Sequence, residues 1–462
     1  MKKRYLTILL ALIMVVSMVF AACGDSGGGG GGGGGGSSSS GGELVEKGYQ
    51  SDMDKDAIIV SGVRSITGFN ASFEETAFGP YYKMWVDLIN QQGGLYVKSL
   101  DRKVPVKLGE IVDDQSDETL TQQHYERLCV EGKADWILPP VSTNALKLVV
   151  PIAQKYDYLI IGGEGGAREL EAFSADFPNF YEILGYSTTQ VPAFVKLAGE
   201  LGIESVYIAY VDDSHGIEYT EFLREECGPA NIEILGTDAL DLFGNFDPSV
   251  VVNAAKNSGA DAFLLCAYPP QNFPVMATSV ALEYNPKAYL VGPGGGYDYI
   301  GLAALGDPTN MAVDGMMAWG AWSEKSSPAA AELSNMFKDY WIEKGQFWKD
   351  ADGNLTGGEV YQDWWGNLGY WSVIQVYQQA VENAGELTDS GQINQATLVE
   401  YIKGASFDTV LNPNLRFNNN RLDDEMYAGN ITQWQGGKAE VIDADDRRTA
   451  DPIYPKPAWP KD

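Results

Sequence analysis

The run AIIVSGVRSITGFNASFEETAFGPYYKMWVDLINQQGG, residues 57–94, decides the fold. Ala57 to Val63 is a continuous, largely apolar stretch of strand length. The loop Arg64 to Ala71 follows it. Phe73, Ala77, Phe78, Tyr81, Trp85, Leu88 and Ile89 then recur at helical spacing, until Gly93-Gly94 stops the helix. Working outward, Val104 to Val112 reads as a strand, Asp117 to Val130 as a helix and Asp135 to Leu138 as a strand. Thr143 to Gln154 is the next helix and Tyr158 to Ile161 the next strand. Short buried strands alternating with amphipathic helices predict βαβ units around a parallel sheet. The rhythm then starts afresh, with strands at Ser205–Val211, Ile232–Gly236, Ala262–Ala267 and Ala288–Gly292. Helices fall between them at Ile217–Glu226, Pro248–Asn257 and Phe273–Glu283. The expectation is an α/β protein of two doubly wound lobes, with a long helix at about Tyr361–Asn383. Strands around a Gly436-Gly437 turn are expected within Glu425–Val441.

The N-terminus speaks to compartment. Lys2, Lys3 and Arg4 precede an apolar run, Tyr5 to Phe20, which ends in Ala21-Ala22-Cys23. Charge, then oil, then small residues is the order of an export signal, and the run is shorter than the ~20 residues of a membrane span. The segment from Gly24 to Gly42 is almost wholly Gly and Ser, a flexible tether that buries nothing. Its root-mean-square reach is on the order of 25 Å. About 400 residues remain, more than one core usually serves, so two domains are expected. The net charge of −31 would repel a phosphate backbone and argues against nucleic-acid binding. Cys129, Cys227 and Cys266 are expected as buried free thiols, because Cys227 and Cys266 fall at opposite edges of the predicted sheet.

Several stretches carry a family resemblance. Ser65-Ile66-Thr67-Gly68 follows the first strand, Asp87 to Gly94 closes the first helix, and Asp113 to Asp117 forms an acidic turn after a strand. Pro139-Pro140-Val141-Ser142-Thr143 completes the set. In their order and spacing the chain resembles the type I periplasmic binding proteins, specifically the branched-chain amino acid and amide group that serves ABC transporters. Phe20-Ala21-Ala22-Cys23 resembles a bacterial lipobox, which implies lipid attachment at Cys23 and a body held outside the membrane. The resemblance further implies a monomer that takes a small-molecule ligand (amino acid, amide or carboxylate) and needs no cofactor and no metal. It implies two lobes joined by three crossings. One lobe combines 57–183 with 313–383, and the other combines 184–312 with 384–450.

Ligand groups should lie at the carboxyl ends of the strands. Ser142 and Thr143 sit between a strand and a helix, where their hydroxyls and the helix start suit a carboxylate. The competing role of either is to cap that helix. The resemblance adds Ser65 and Thr67 in the first loop, with Gly163, Glu164 and Gly165 after a later strand. Glycine there would let a ligand approach the backbone. Tyr186 stands at the first crossing. In the second lobe, His215 occupies the place of the family's aromatic and Gln271 the place of the acid that pairs with an α-ammonium. Asp213 and Tyr268 are their neighbours. An unpaired buried ammonium is costly, so Asp212, Asp213, Glu164 or Asp298 must substitute, or the ligand is not a zwitterion. A neutral amide, a carboxylate and an aromatic acid stand beside leucine as ligand classes.

Phe69, Tyr297, Trp319 and Trp322 are further candidates for the cleft, although most aromatics should pack in the core or on the surface. Asp350, Asp352 and Asn354 lack the spacing of a calcium loop and read as a surface turn. An exported hydrolase is the competing function. Only two histidines exist, His124 and His215, and neither a GxSxG elbow nor an HExxH motif is present. A ligand-binding sensor that docks on a receptor is the third reading.

Overall fold

A computed structural model of the chain describes residues 55–166, 168–185, 187–292, 307, 311–320, 322–349, 355–358, 360, 364–426, 429–443 and 445–460. Cys23, the glycine tether, Tyr186, Tyr297, Asp298 and the 350–354 turn lie outside the described residues.

The first lobe is built on the first strand of the described chain. Ile58–Arg64 lies between Val106–Asp113 and Trp136–Leu138, parallel to both. A four-stranded sheet carries Ile160–Gly162 and Phe180–Glu182 in parallel, followed by Arg421–Leu422 and Phe417–Asn418. The second lobe is a seven-stranded sheet. Its order is Lys438–Val441, Ile431–Gln435, Met317–Trp319, Ala288–Gly292, Ala262–Cys266, Ser205–Val211 and Glu233–Leu240. The last five run parallel, and the first two form an antiparallel hairpin through Gly436 and Gly437.

Alternation along the central strand explains the helices on both sides. Phe263 and Leu265 face one apolar cluster, with Val251, Val252, Val275 and Met276 of two covering helices. Ala262, Leu264 and Cys266 face the other, with Phe194, Leu197, Tyr219 and Leu223. Successive side chains point to opposite faces of a strand, so an all-apolar strand must be covered twice. Cys129, Cys227 and Cys266 are buried and free. Among the described residues, no helix is long and apolar enough to cross a membrane.

The sheet pairings move two lobe boundaries. Met317–Trp319, expected in the first lobe with 313–383, pairs with Ala288–Gly292 in the second sheet. The Gln395–Gly404 helix and Arg421–Leu422, expected in the second lobe with 384–450, belong to the first. Gln395 Nε2 donates to Asp135 O at 2.7 Å, and Arg421 pairs with Glu182. Strands of two or three residues leave no periodicity for a sequence window to detect. Likewise, the single strand expected at Val104–Val112 is broken at Pro105, which has no N–H to donate.

Glu182, at the end of its strand, is fully buried; Leu184 N–H donates to its Oε1, and its Oε2 has no hydrogen-bond partner among the described residues. Burial holds its carboxyl well above the usual carboxylate range. The folded state therefore keeps a proton that the unfolded state releases above pH 4.5. Stability is full below that value and falls as pH rises, by about 1.4 kcal/mol per pH unit at the steepest. Glu182→Gln should remove this dependence. Urea unfolding at pH 5 and pH 7 is expected to show the wild type losing at least about 1 kcal/mol more than the variant. Parallel losses in the two proteins would refute the assignment.

Candidate functional site

The carboxyl ends of strands from both lobes converge on one cleft. Two adjoining pockets occupy it, with about 460 and 500 Å³ of space that includes open solvent, and they share Asn70, Val141, Ser142, Thr143 and Tyr268. Several wall residues follow strand ends. Ser65 and Asn70 follow Ile58–Arg64, Ser142 follows Trp136–Leu138, Glu164 follows Ile160–Gly162, Asp213 follows Ser205–Val211, and Tyr268 follows Ala262–Cys266. The lobes touch across the cleft. Ser214 Oγ donates to Asn144 Oδ1 at 2.9 Å, Arg168 N–H donates to Glu218 Oε1 at 2.5 Å, and Phe69 meets Phe243 edge-on at 5.8 Å.

The first cavity is polar, with Ser65, Ser116, Glu118, Thr121 and Asp213 on its walls. Asp213 caps the Ser214–Cys227 helix by accepting from Gly216 N at 2.9 Å, and it accepts from Tyr268 OH at 2.7 Å. Burial raises its carboxyl above the ordinary range. The second cavity is aromatic. Phe73 and Phe78 come from the first lobe, His215, Tyr219 and Tyr268 from the second, and Leu184 from the first crossing.

Ser142 and Thr143 stand at the junction of the cavities. Ser142 caps the Thr143–Lys155 helix, its Oγ accepting from Ala145 N at 3.2 Å. It does so at φ 100°, a conformation that side-chain-bearing residues seldom adopt. Thr143 Oγ1 accepts from Gly166 N at 3.1 Å. Each hydroxyl has thus spent acceptor capacity on the backbone, and its proton has no acceptor among the described residues.

Beneath the aromatic cavity lies a charged cluster. Arg64 is fully buried and donates from Nε to Glu74 Oε2 at 2.8 Å and from Nη1 to Glu164 Oε1 at 2.6 Å. Burial alone would depress the guanidinium; Glu164 and Glu74 more than offset it and raise it overall. Glu74 also accepts from Tyr82 OH at 2.8 Å. A π-helical turn, Glu74–Phe78, sets this carboxylate towards Arg64. Gly79 is needed beside it, since a Cβ there would meet Glu74 O at 2.7 Å. Burial pushes Glu164 up to about 8, against the pull of Arg64 and with Glu74 adding to the rise.

His215 is 3% exposed, and its Nε2 has no hydrogen-bond partner among the described residues. The ring lies 4.5 Å from Tyr219 and 5.9 Å from Tyr268, centroid to centroid. Burial lowers its pKa to about 3, so the imidazole is neutral.

The expected residues therefore divide. Ser65, Ser142, Thr143, Glu164, Gly165, Asp213, His215 and Tyr268 line the two cavities. Three others do not. Thr67 is exposed and donates to Asp113 Oδ2 at 2.7 Å, outside the cleft. Gly163 backs onto the long Trp364–Ala384 helix, where a Cβ would meet Val373 Cγ2 at 2.7 Å. Gln271 is fully buried, its Nε2 donating to Asp241 O and Leu242 O at 2.9 and 2.8 Å, which braces a loop instead of facing the cleft. Phe69 lines the polar cavity, whereas Trp319 and Trp322 are core residues. Sequence reasoning missed Arg64, Glu74, Phe73, Phe78, Gln190 and Tyr219. Arg64 had a signal, a cation directly after an apolar strand, where a buried partner is required. The aromatics had none, since helical spacing assigns them to the core.

Two facing α/β sheets with a cleft at their strand ends define a two-lobed binding protein of type I architecture. The family model described as periplasmic binding protein matches residues 65–438, and the chain belongs to that family. Solved structures share the fold at low identity. A solute-binding protein of an ABC transporter from Rhodopseudomonas palustris BisB5, in complex with 3,4-dihydroxybenzoic acid, is 16% identical. The match covers 87% of this chain and 99% of that one, with a TM-score of 0.64. The leucine-binding protein LivK of Thermotoga maritima MSB8 is 14% identical over 84% and 99% of the two chains, with a TM-score of 0.62. LivJ of Streptococcus pneumoniae, a branched-chain amino acid transporter substrate-binding protein in complex with isoleucine, is 15% identical over 83% and 98%, with a TM-score of 0.62.

Proposed function

We propose that the chain is the extracytoplasmic solute-binding lipoprotein of an ABC importer. It captures a small carboxylate-bearing solute in the cleft, and the closed pair of lobes is the form that the transporter recognises. Cys23 carries the lipid, and the glycine tether keeps the body clear of the membrane surface. The observation that carries this reading is the junction at Ser142 and Thr143. Two hydroxyls with free protons sit at a helix N-terminus, inside a cleft whose opposite wall belongs to the other lobe. Closure follows from differential affinity, because a ligand held by both lobes favours the state in which both reach it.

A thermal-shift panel of amino acids, amides, urea-like compounds and aromatic acids tests the proposal. A true ligand at a hundred times its Kd should stabilise the protein by about 2.7 kcal/mol. Small-angle scattering should show a smaller radius of gyration with that ligand than without it. A panel in which nothing moves the melting midpoint, or a radius that the ligand leaves unchanged, would sink it.

A further inference from the structure

One helix of the second lobe is held against the first lobe by contacts that lie outside both cavities. The helix Ser214–Cys227 carries Glu218, Phe222 and Glu225 at the i+4 and i+3 spacing that places them on one face. All three meet Arg168. Glu218 Oε1 accepts from Arg168 N–H at 2.5 Å, and Glu225 Oε2 lies 3.7 Å from Arg168 Nη1. The guanidinium carbon stands over the Phe222 ring, 5.3 Å from its centroid. Arg168 caps the helix Glu169–Asp176, which packs on Phe180–Glu182 and Arg421–Leu422 of the first lobe. None of these four residues lines either cavity.

Glu218 also reaches back to its own lobe. Its Oε1 accepts from the Ser187 hydroxyl, and its Oε2 accepts from Glu169 N–H at 3.4 Å. Ser187 begins the helix Ser187–Leu201, just past Leu184 of the first crossing, and that helix packs on the second lobe. One carboxylate therefore bonds to both sides of the crossing, to backbone N–H groups of one lobe and to a hydroxyl of the other. The N–H groups at a helix start lack partners within the helix, and their partial positive charge favours an anion. Hydrogen bonds of this charge-assisted kind are roughly twice as strong as neutral ones. Rotation of the lobes about the crossing must pull the carboxylate away from one side or the other. The side chains of the Arg168–Glu225 pair are exposed, and that pair contributes little alone. The half-buried Glu218 is the decisive member.

We infer that Glu218 is a positioning residue for closure: a hinge clamp, engaged on Arg168 and Glu169, that sets the balance between open and closed lobes from outside the cleft. The inference rests on the lobe closure of the solute-binding reading and on no particular ligand class. Apparent affinity falls with the fraction of protein in the binding-competent form. The clamp therefore scales the affinity for every solute by one factor, and the ranking among solutes is left to the cleft.

Small-angle scattering of the unliganded full chain tests this without a solute. Glu218→Ala should raise the radius of gyration above that of the wild type, with the ratio of open to closed forms about fivefold higher or more. Glu218→Gln keeps an acceptor oxygen without the charge and should fall between the two. Glu221→Ala, exposed on the same helix and outside the clamp, should match the wild type. Circular dichroism checks that each variant is folded, and Glu218→Gln alone decides the matter should the alanine variant fail to fold. In the thermal-shift panel, every shift should shrink in Glu218→Ala while the order of the solutes is kept. A radius unchanged in the Glu218 variants overturns the clamp. A reordered panel overturns it as well, because Glu218 would then act on the solute itself. A panel that moves no midpoint in the wild type sinks the solute-binding reading, while the scattering still decides the clamp.

Discussion

Replacing Arg64 by methionine is expected to destabilise the protein by about 3–5 kcal/mol, the loss typical when one partner of a buried ion pair is removed. The guanidinium is the only cation that the described structure brings to Glu74 and Glu164, and the side chains of all three are buried. Without it, Glu164 would take up a proton and Glu74 would keep only the Tyr82 hydroxyl among these contacts. Arg64 Nη1 also donates to Pro139 O, so the loop leading to Ser142 loses an anchor. The cost lies in the stranded carboxylates, and a triple variant should therefore recover much of it. Arg64→Met with Glu74→Gln and Glu164→Gln is expected to unfold within about 2 kcal/mol of the wild type, because a neutral cluster needs no counter-charge. Urea unfolding of the single and triple variants measures both. A single-variant loss under about 1 kcal/mol would show that the cluster is hydrated and not the buried network described here.

This cluster also marks how far the sequence could be read. The alternation of apolar strands and amphipathic helices was legible in its main elements over Ala57–Ile161 and Ser205–Gly292, whereas Leu95–Val97, Glu169–Asp176, Phe180–Glu182 and Ser187–Leu201 were not read. Neither were the edges of the sheets. Met317–Trp319 and Arg421–Leu422 are paired by register with partners over twenty residues distant in sequence, and only the folded chain reveals the pairing. Ser142 and Thr143 were legible because a strand end, two hydroxyls and a helix start are contiguous in the chain. Gln271 was placed in the cleft by analogy of position, yet the carbonyls of Asp241 and Leu242 capture its amide. Tyr219 and Phe73 carry no signal of their own. A helix turns its apolar face to a core or to a cleft with the same spacing, and the choice is made by what lies opposite.

Changing Ser142 to glycine is expected to weaken binding of the cleft's carboxylate by between about ten- and a hundredfold, while leaving the unliganded protein as stable as the wild type or more so. The two effects have separate origins. A hydrogen bond from the hydroxyl to a charged ligand oxygen contributes about 1.5–3 kcal/mol, and glycine has no group to replace it. The backbone, by contrast, gains. Ser142 holds φ at 100°, where a Cβ is unfavourable, and strain of this kind costs on the order of 1–3 kcal/mol. Glycine adopts that angle freely and, as a helix cap, concedes only a few tenths of a kcal/mol to serine. Melting of the unliganded variant and calorimetric titration with the carboxylate that gives the largest thermal shift separate the two effects. A variant that melts well below the wild type would mean that Ser142 serves only its helix, and an unchanged affinity would remove its hydroxyl from the site.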